Sequence, residues 1–392
     1  MSSREVTIDT DLLERNLRPA WAEIDLAAIS HNASILVREM APAKLCAVVK
    51  AGAYGHGAAQ VARAALDGGA HWLAVALVEE GRELRAAGIG EPVLVLSEPA
   101  PSAMGDVVEF DLTPTIYTSN GLQALRKAVL SSRARRPYPV HVKVDTGMHR
   151  VGATVPDSVA LAAAIYGSAE LDLEGYWTHF AVADEVGNPY TATQIEAFDS
   201  ALSMLAQAGI KPRIRHASNS AGAAWHPEAR YDMVRCGIAL YGLSPSVDGI
   251  ARQPVPLLLP AMSLKARVSY VKTVAAGERL SYGLRYHVPR DTVVATVPLG
   301  YADGVTRSLS EYGAHVLING ERRPMAGTIT MDQLLVDCGP AAAVSVGDEV
   351  VLIGRQGAEQ VSAWDWASRT GTIAYEVVCG VSGRVPRVYR RG

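Results

Sequence analysis

Cysteine is scarce in this 392-residue chain: only Cys46, Cys236, Cys338 and Cys379 occur, and no two form a CxxC pair. That spacing argues against a disulfide scaffold or a cysteine-based metal site, and a reduced, cytoplasmic setting fits best. No stretch reaches the ~20 apolar residues of a membrane span. Residues 1–20 are polar and mixed in charge, without the apolar core of a signal peptide, and read as a short N-terminal extension. An excess of one charge sign is also missing: 37 Lys plus Arg stand against 40 Asp plus Glu, a net charge of −3. This balance gives no electrostatic reason to expect nucleic acid or an anionic membrane as the main partner. GxSxG, HExxH, the P-loop and the Rossmann GxGxxG are all absent. No metal site is expected.

What the chain does have is apolar mass, 49% of its residues, enough for substantial cores. Up to about residue 240, short apolar runs alternate with helical patterns. Eight candidate strands end near Lys50, Ala76, Ser97, Tyr117, Asp145, Thr178, Ser218 and Arg235. Between them, residues 193–208 place Ile195, Phe198, Leu202 and Leu205 on one helical face, with Gly209 as the stop. Residues 158–166 are alanine-rich and helix-prone. Eight strands with helical crossovers predict a (β/α)8 barrel over residues 21–250, with active groups at the carboxyl ends of the strands. After Pro254 the texture changes. Strands are expected over 264–274, 293–299, 315–318, 333–336 and 349–353, with one helix around 361–369 and a surface strand near the arginine-rich C-terminus. Residues 251–392 therefore read as a second, mostly β domain. The boundary falls in 244–260, which carries four prolines.

The most informative segment is Ala47-Val48-Val49-Lys50-Ala51-Gly52-Ala53-Tyr54-Gly55-His56-Gly57. Lysine at the end of an apolar, β-branched run is commonly a solvated charge, but it can also be an amine ready to form a Schiff base. The glycines that follow allow a backbone to approach a ligand closely. Lys143, His179 and Arg235 sit at or near other strand ends. Singly, each has a structural reading as a surface cation, a satisfied core histidine or an ion-pair partner. Together, several cations converging on one barrel mouth point to an anionic ligand.

Beyond these groups, Val144-Asp145-Thr146-Gly147-Met148, Thr178-His179-Phe180, Asn219-Ser220, Ser281-Tyr282-Gly283, Leu299-Gly300-Tyr301-Ala302-Asp303-Gly304, Met331-Asp332-Gln333 and Tyr375-Glu376-Val377 follow in order. In this set and order the chain resembles the alanine racemases, a family that joins a pyridoxal-phosphate-binding (β/α)8 barrel to a β domain. The resemblance spans nearly the whole chain. It implies that Lys50 carries pyridoxal 5'-phosphate as a Schiff base and is one catalytic base. It makes Tyr282, from the partner subunit of a homodimer, the second base on the opposite face of the substrate Cα. Arg235 then faces the cofactor's pyridine nitrogen, and His179 hydrogen-bonds that arginine. Tyr54, Ser220, Gly237, Ile238 and Tyr375 match phosphate-binding positions. Arg150 matches the residue near the cofactor hydroxyl and the substrate carboxylate, while Tyr301 and Met331 match substrate-pocket residues from the partner. Lys143 matches a position that is often carbamylated. The implied reaction is interconversion of L- and D-alanine, supplying D-alanine for peptidoglycan.

Three positions depart from the family pattern. Gly52 stands where Asn or Asp usually braces the lysine loop. Thr328 replaces a frequent arginine of the substrate access corridor, and Val182 a common polar residue nearby. None is a catalytic group, so substrate range is more open than reaction type. A broad-specificity or serine racemase on the same fold is the neighbouring alternative. A decarboxylase fits less well, because Arg235 is the opposite of an acidic partner for the pyridine. A non-catalytic pyridoxal-phosphate carrier would be a barrel without the β domain that holds Tyr282.

Overall fold

The computed structural model describes residues 18–246, 255 and 257–391. Most of the expected N-terminal extension and part of the proline-rich boundary therefore lie outside the described residues. The chain divides into two compact units, one of residues 28–53 and 57–259, the other of residues 1–27, 54–56 and 260–392.

The chain enters on β1 (Ala20–Asp25). The barrel unit then runs through β2 (Lys44–Val48), β3 (Trp72–Val75), β4 (Val93–Val95), β5 (Thr113–Ile116), β6 (Tyr138–Lys143), β7 (Leu171–Trp177), β8 (Ile214–His216) and β9 (Met233–Cys236). All paired neighbours are parallel, in the order β8-β7-β6-β5-β4-β3-β2-β9. Backbone bonds from Asp232 to Arg215 and from Arg235 to Ser218, each 3.0 Å, bring β9 back against the β8 end. The expected barrel is thus present, with each strand ending within about two residues of its predicted end. In a parallel barrel both strand faces are covered, and β6 is buried at every position. Its outward Tyr138 donates to the carbonyls of Val107 and Leu112. His141 and Lys143 point the other way, into the barrel.

Between strands, the helix predicted over 193–208 runs Tyr190–Gln207. Its buried stripe is Thr191, Gln194, Phe198, Ala201 and Leu205, so Ile195 and Leu202 flank the core instead of filling it. Gly209, at φ 73°, supplies the left-handed stop. Residues 158–166 belong to a helix, Val155–Tyr166, that starts earlier because Thr154 caps it.

In the β unit, β10 (Met262–Arg267), β15 (His315–Ile318), β16 (Glu321–Pro324), β18 (Glu349–Gln356) and β20 (Arg387–Arg390) join β1 in one sheet, ordered β16-β15-β18-β10-β1-β20, with β19 (Glu359–Val361) pairing β18. A second sheet contains β11 (Tyr270–Val274), β14 (Thr292–Val297) and β17 (Leu334–Gly339), and β12 (Arg279–Leu280) pairs β13 (Tyr286–His287). Residues 21–25, counted with the barrel from sequence, instead continue from Ala20 as a strand whose backbone bonds go to β10 and β20. The single strand expected over 264–274 breaks at Val268 and Ser269, whose N–H groups go to Asp348 and Thr296. Two helices occur where one was expected: Ala363–Thr370, capped by Ser362, and Ala374–Gly380, which has no side-chain cap. The second is too short to signal itself by periodicity and is held through buried Ala374, Val377 and Val378.

Candidate active site

Lys50 follows β2 by two residues and opens a turn with unusual backbone geometry. Ala51, Gly52, Ala53 and Tyr54 all have φ between 53° and 58°, a left-handed path. Each non-glycine residue there costs roughly 1–2 kcal/mol, so the surroundings must hold the turn. Glu80 contributes: its carboxylate accepts the Ala51 N–H at 2.5 Å, and those of Ala76 and Leu77 at 2.8 and 3.1 Å. One side chain thereby ties the lysine turn to the start of helix Val78–Ala86. A Cβ added at Gly52 would meet nothing within 4 Å, and the turn is anchored by Glu80.

Within the barrel the polar residues form a column. Arg235 on β9 is buried, and it donates through Nη1 to His216 Nδ1 at 2.8 Å. Through Nη2 it reaches the carbonyls of Thr178 and Ala217, both at 2.9 Å, and His179 Nδ1 at 3.1 Å. A guanidinium only donates, so both imidazoles accept at Nδ1 and carry their proton on Nε2. His216 Nε2 then donates to His141 Nδ1 at 2.9 Å, and His141 Nε2 faces Glu174 at 3.5 Å. The chain is directional, from guanidinium to carboxylate. Burial, reinforced by the Arg235 charge, pushes His179 and His216 well below the ordinary imidazole range, so both stay neutral. Burial lowers Arg235 itself to about 10, which still leaves a cation at neutral pH.

Close packing fixes this column. A Cβ on Gly175 would lie 2.3 Å from His141 Nδ1, so only glycine admits the imidazole on the neighbouring strand. Trp177 stacks on His216 with ring centroids 5.3 Å apart, and the charges of Lys143 and Arg235 lie 4.6 and 4.5 Å from its ring centroid. Its buried indole N–H finds no acceptor among the described residues. Lys143 is 3% exposed, and burial, then the charges of Arg235 and Arg150, lower its amine to about 7. Arg150 lies exposed on the turn after β6 and makes no ion pair among the described residues.

Ser220 opens the short helix Ser220–Trp225, and its Oγ accepts the Gly237 N–H at 3.0 Å. Ile238 begins a 3-10 turn, where its N–H has no partner within the turn. The barrel unit thus gathers Lys50, Lys143, Arg150, His179, Ser220, Arg235, Gly237 and Ile238 at or just beyond its strand ends.

The remaining predicted residues belong to the β unit. Tyr54 and Tyr375 pair with ring centroids 6.2 Å apart. Tyr301 and Met331 are brought together by backbone bonds from Tyr301 to Thr330 and from Ala302 to Met331, at 3.0 and 3.1 Å. Arg384 braces both loops, bonding Asp332 at 2.6 Å and approaching buried Asp303 at 3.5 Å. Tyr282 is 73% exposed and sits on a strained turn: Ser281 has φ 61°, Gly283 φ 75° and Leu284 φ 49°. The two non-glycine positions cost about 1–3 kcal/mol each.

Sequence reasoning singled out neither the His216–His141–Glu174 chain, nor Trp177, nor Glu80. The signal for one part was available: His141 and Lys143 are two apart on a strand and share a face. The pairing across strands was not legible, because it depends on barrel register.

A parallel barrel that gathers two amines, two guanidinium groups and neutral histidines at its strand ends is an enzyme-type site for a small anionic ligand. The family models for the N-terminal and C-terminal domains of alanine racemase match residues 24–245 and 261–389. The chain is 48% identical to the alanine racemase of Symbiobacterium thermophilum, over 95% of this chain and 97% of that protein. It is 46% identical to that of Desulforamulus reducens, over 95% and 99%. Among solved structures, alanine racemase from E. faecalis superposes with a TM-score of 0.89 at 39% identity, covering 95% of this chain and 98% of that one. Histidine racemase from Leuconostoc mesenteroides does so with a TM-score of 0.86 at 29% identity, over 95% and 98%. The chain belongs to the alanine racemase family.

Proposed function

We propose that this protein is a pyridoxal-5'-phosphate-dependent racemase that interconverts L- and D-alanine as a homodimer, supplying D-alanine for peptidoglycan. The observation that carries the reading is Arg235. Its Nη2 and one Nη1 hydrogen are engaged, whereas its Nε–H has no acceptor among the described residues. Such a group suits a pyridine nitrogen, to which it donates a hydrogen bond without readily surrendering a proton. Lys50 would hold the cofactor. Ser220, the N–H of Ile238, Gly237 through its bond to Ser220, and the hydroxyls of Tyr54 and Tyr375 suit its phosphate.

The bound cofactor supplies an electron-withdrawing ring that acidifies the substrate's Cα–H. This chain's own groups move the proton: Lys50 at one face of Cα, Tyr282 of the partner copy at the other. One base removes the proton and the other returns it on the opposite side. Arg150 orients the carboxylate, and Tyr301 and Met331 limit the side chain. The exposure of Tyr282, Tyr301 and Met331, at 73%, 42% and 52%, is what a site completed by a second copy requires.

Lys143 is the residue for carbamylation. An amine brought to about 7 is substantially uncharged at neutral pH and can attack CO2, forming a C–N bond and releasing a proton. The carbamate would make this side chain negative and let it orient Arg150. Protein equilibrated with 13C-bicarbonate should show a carbamate carbonyl signal that fades as pH falls through about 7. A signal that persists in Lys143→Arg assigns it elsewhere.

The function itself is tested by incubating the protein, pyridoxal phosphate and single L-amino acids in D2O, followed by proton NMR and chiral chromatography. D-alanine as the dominant deuterated product is expected. A second reading, a broad or differently specific racemase, draws on Thr328 and on the histidine racemase that shares this fold. Exchange spread over serine or larger substrates would favour it.

A further inference from the structure

Tyr282 projects from the β unit with little packed around it, beside a hollow of ≈ 480 Å³ lined by Ser281, Gly283, Thr330, Gln333 and Leu335. An exposed phenol gets its aim from its backbone, and that backbone is the strained turn of residues 281–284. The turn's own bond, from Leu284 N–H to the Ser281 carbonyl at 3.1 Å, holds the peptide group that precedes Tyr282 but not the Tyr282 carbonyl. Two bonds to a neighbouring loop do more. Ser281 Oγ–H donates to the Thr328 carbonyl at 2.6 Å, and Thr328 Oγ1–H donates to the Tyr282 carbonyl at 2.8 Å. The pair is reciprocal, so one residue holds the Ser281 side chain just before Tyr282 and the carbonyl of Tyr282 itself.

The gripping loop is itself anchored. Ala326 N–H bonds Leu335 at 2.8 Å, and Thr330 N–H bonds Gln333 at 2.9 Å. Thr328 is 3% exposed. The two loops lie so close that a Cβ on Gly327 would sit 2.9 Å from the Leu280 carbonyl and from Ser281 Cβ. Three residues further on, the same loop carries Met331.

We infer that Thr328 is a positioning residue for Tyr282: its hydroxyl and carbonyl clamp the turn that aims the phenol, and they couple that aim to the loop bearing Met331. The inference rests on the reading of Tyr282 as the second base. A family-typical arginine at this position would lack the short hydroxyl, so the replacement is a different way of holding the base as well as a lost corridor cation.

The test compares Thr328→Val, which keeps the branched shape without the hydroxyl, with Thr328→Ser, which restores it, in the full chain loaded with pyridoxal phosphate. Ser281→Ala removes the other half of the clamp and serves if Thr328→Val does not fold. Amide hydrogen exchange over residues 281–284 should rise about tenfold in Thr328→Val, a loss of ~1.4 kcal/mol in protection, and return towards the parent rate in Thr328→Ser. Removal of the L-alanine Cα proton should slow roughly 10- to 100-fold, as for a slightly misaligned base, while exchange of the D-alanine proton into D2O stays near parent. Unchanged amide exchange in both Thr328→Val and Ser281→Ala overturns the clamp. Faster amide exchange with equal effects on the two enantiomers overturns the positioning role. Tyr282→Phe, measured alongside, separates the premise: a symmetric loss there removes the base assignment and the proposal with it.

Discussion

Lys50→Ala is expected to lose racemisation by roughly 10⁴-fold or more, because one substitution removes both the amine that holds the cofactor and one of the two proton-transfer groups. Two accompanying signs distinguish this from unfolding. Pyridoxal phosphate should wash out of the variant on dialysis, taking the visible absorbance with it, while thermal stability stays close to the parent. A small primary amine supplied in solution should restore part of the activity. The structure gives a reason for near-normal folding: the left-handed turn after Lys50 is held through the Ala51 N–H by Glu80, and that bond does not involve the lysine side chain. Retained racemisation in Lys50→Ala would sink the assignment of this lysine.

Tyr282→Phe should slow racemisation by about 10²- to 10⁴-fold, the usual worth of a positioned acid–base group. Its signature is asymmetry. With Lys50 intact, the Cα proton of D-alanine still exchanges with D2O, but it is returned to the same face, so deuterated D-alanine accumulates without inversion. Removal of the L-alanine proton suffers most. Tyr282 is 73% exposed, so the lost hydroxyl leaves no buried partner unsatisfied within its own β unit and the variant should fold normally. Equal and mild losses for the two enantiomers would take Tyr282 out of the role of second base.

The residues proposed to carry the chemistry could be named from sequence because each lies in a short motif, and the order of those motifs along the chain marks the family. Strand positions in the barrel were legible because a parallel strand covered on both faces is an unbroken apolar run, as in the stretch before Lys50. The break at Val268 and Ser269 was not. An apolar strand pattern continues through it, and only the bonds to Asp348 and Thr296 turn the chain into another sheet. The helix Ala374–Gly380 escaped notice because seven residues without a side-chain cap depend on packing for stability.

The sequence by itself determined the family, the barrel-plus-β plan, the lysine and tyrosine proposed as bases, and the Gly52 and Thr328 departures, since these are matters of residue type, spacing and order. Tertiary structure alone decided what surrounds those residues. Barrel register lines up Arg235, His216 and His141 into one directional hydrogen-bond chain that ends facing Glu174. Folding also brings Glu80 to the lysine turn, across 29 positions, and Thr328 to the tyrosine turn, across 46. The physical reason is the short reach of a hydrogen bond, about 3 Å: contacts between residues so far apart in the chain are set by how strands and loops pack, which no local pattern of side chains records.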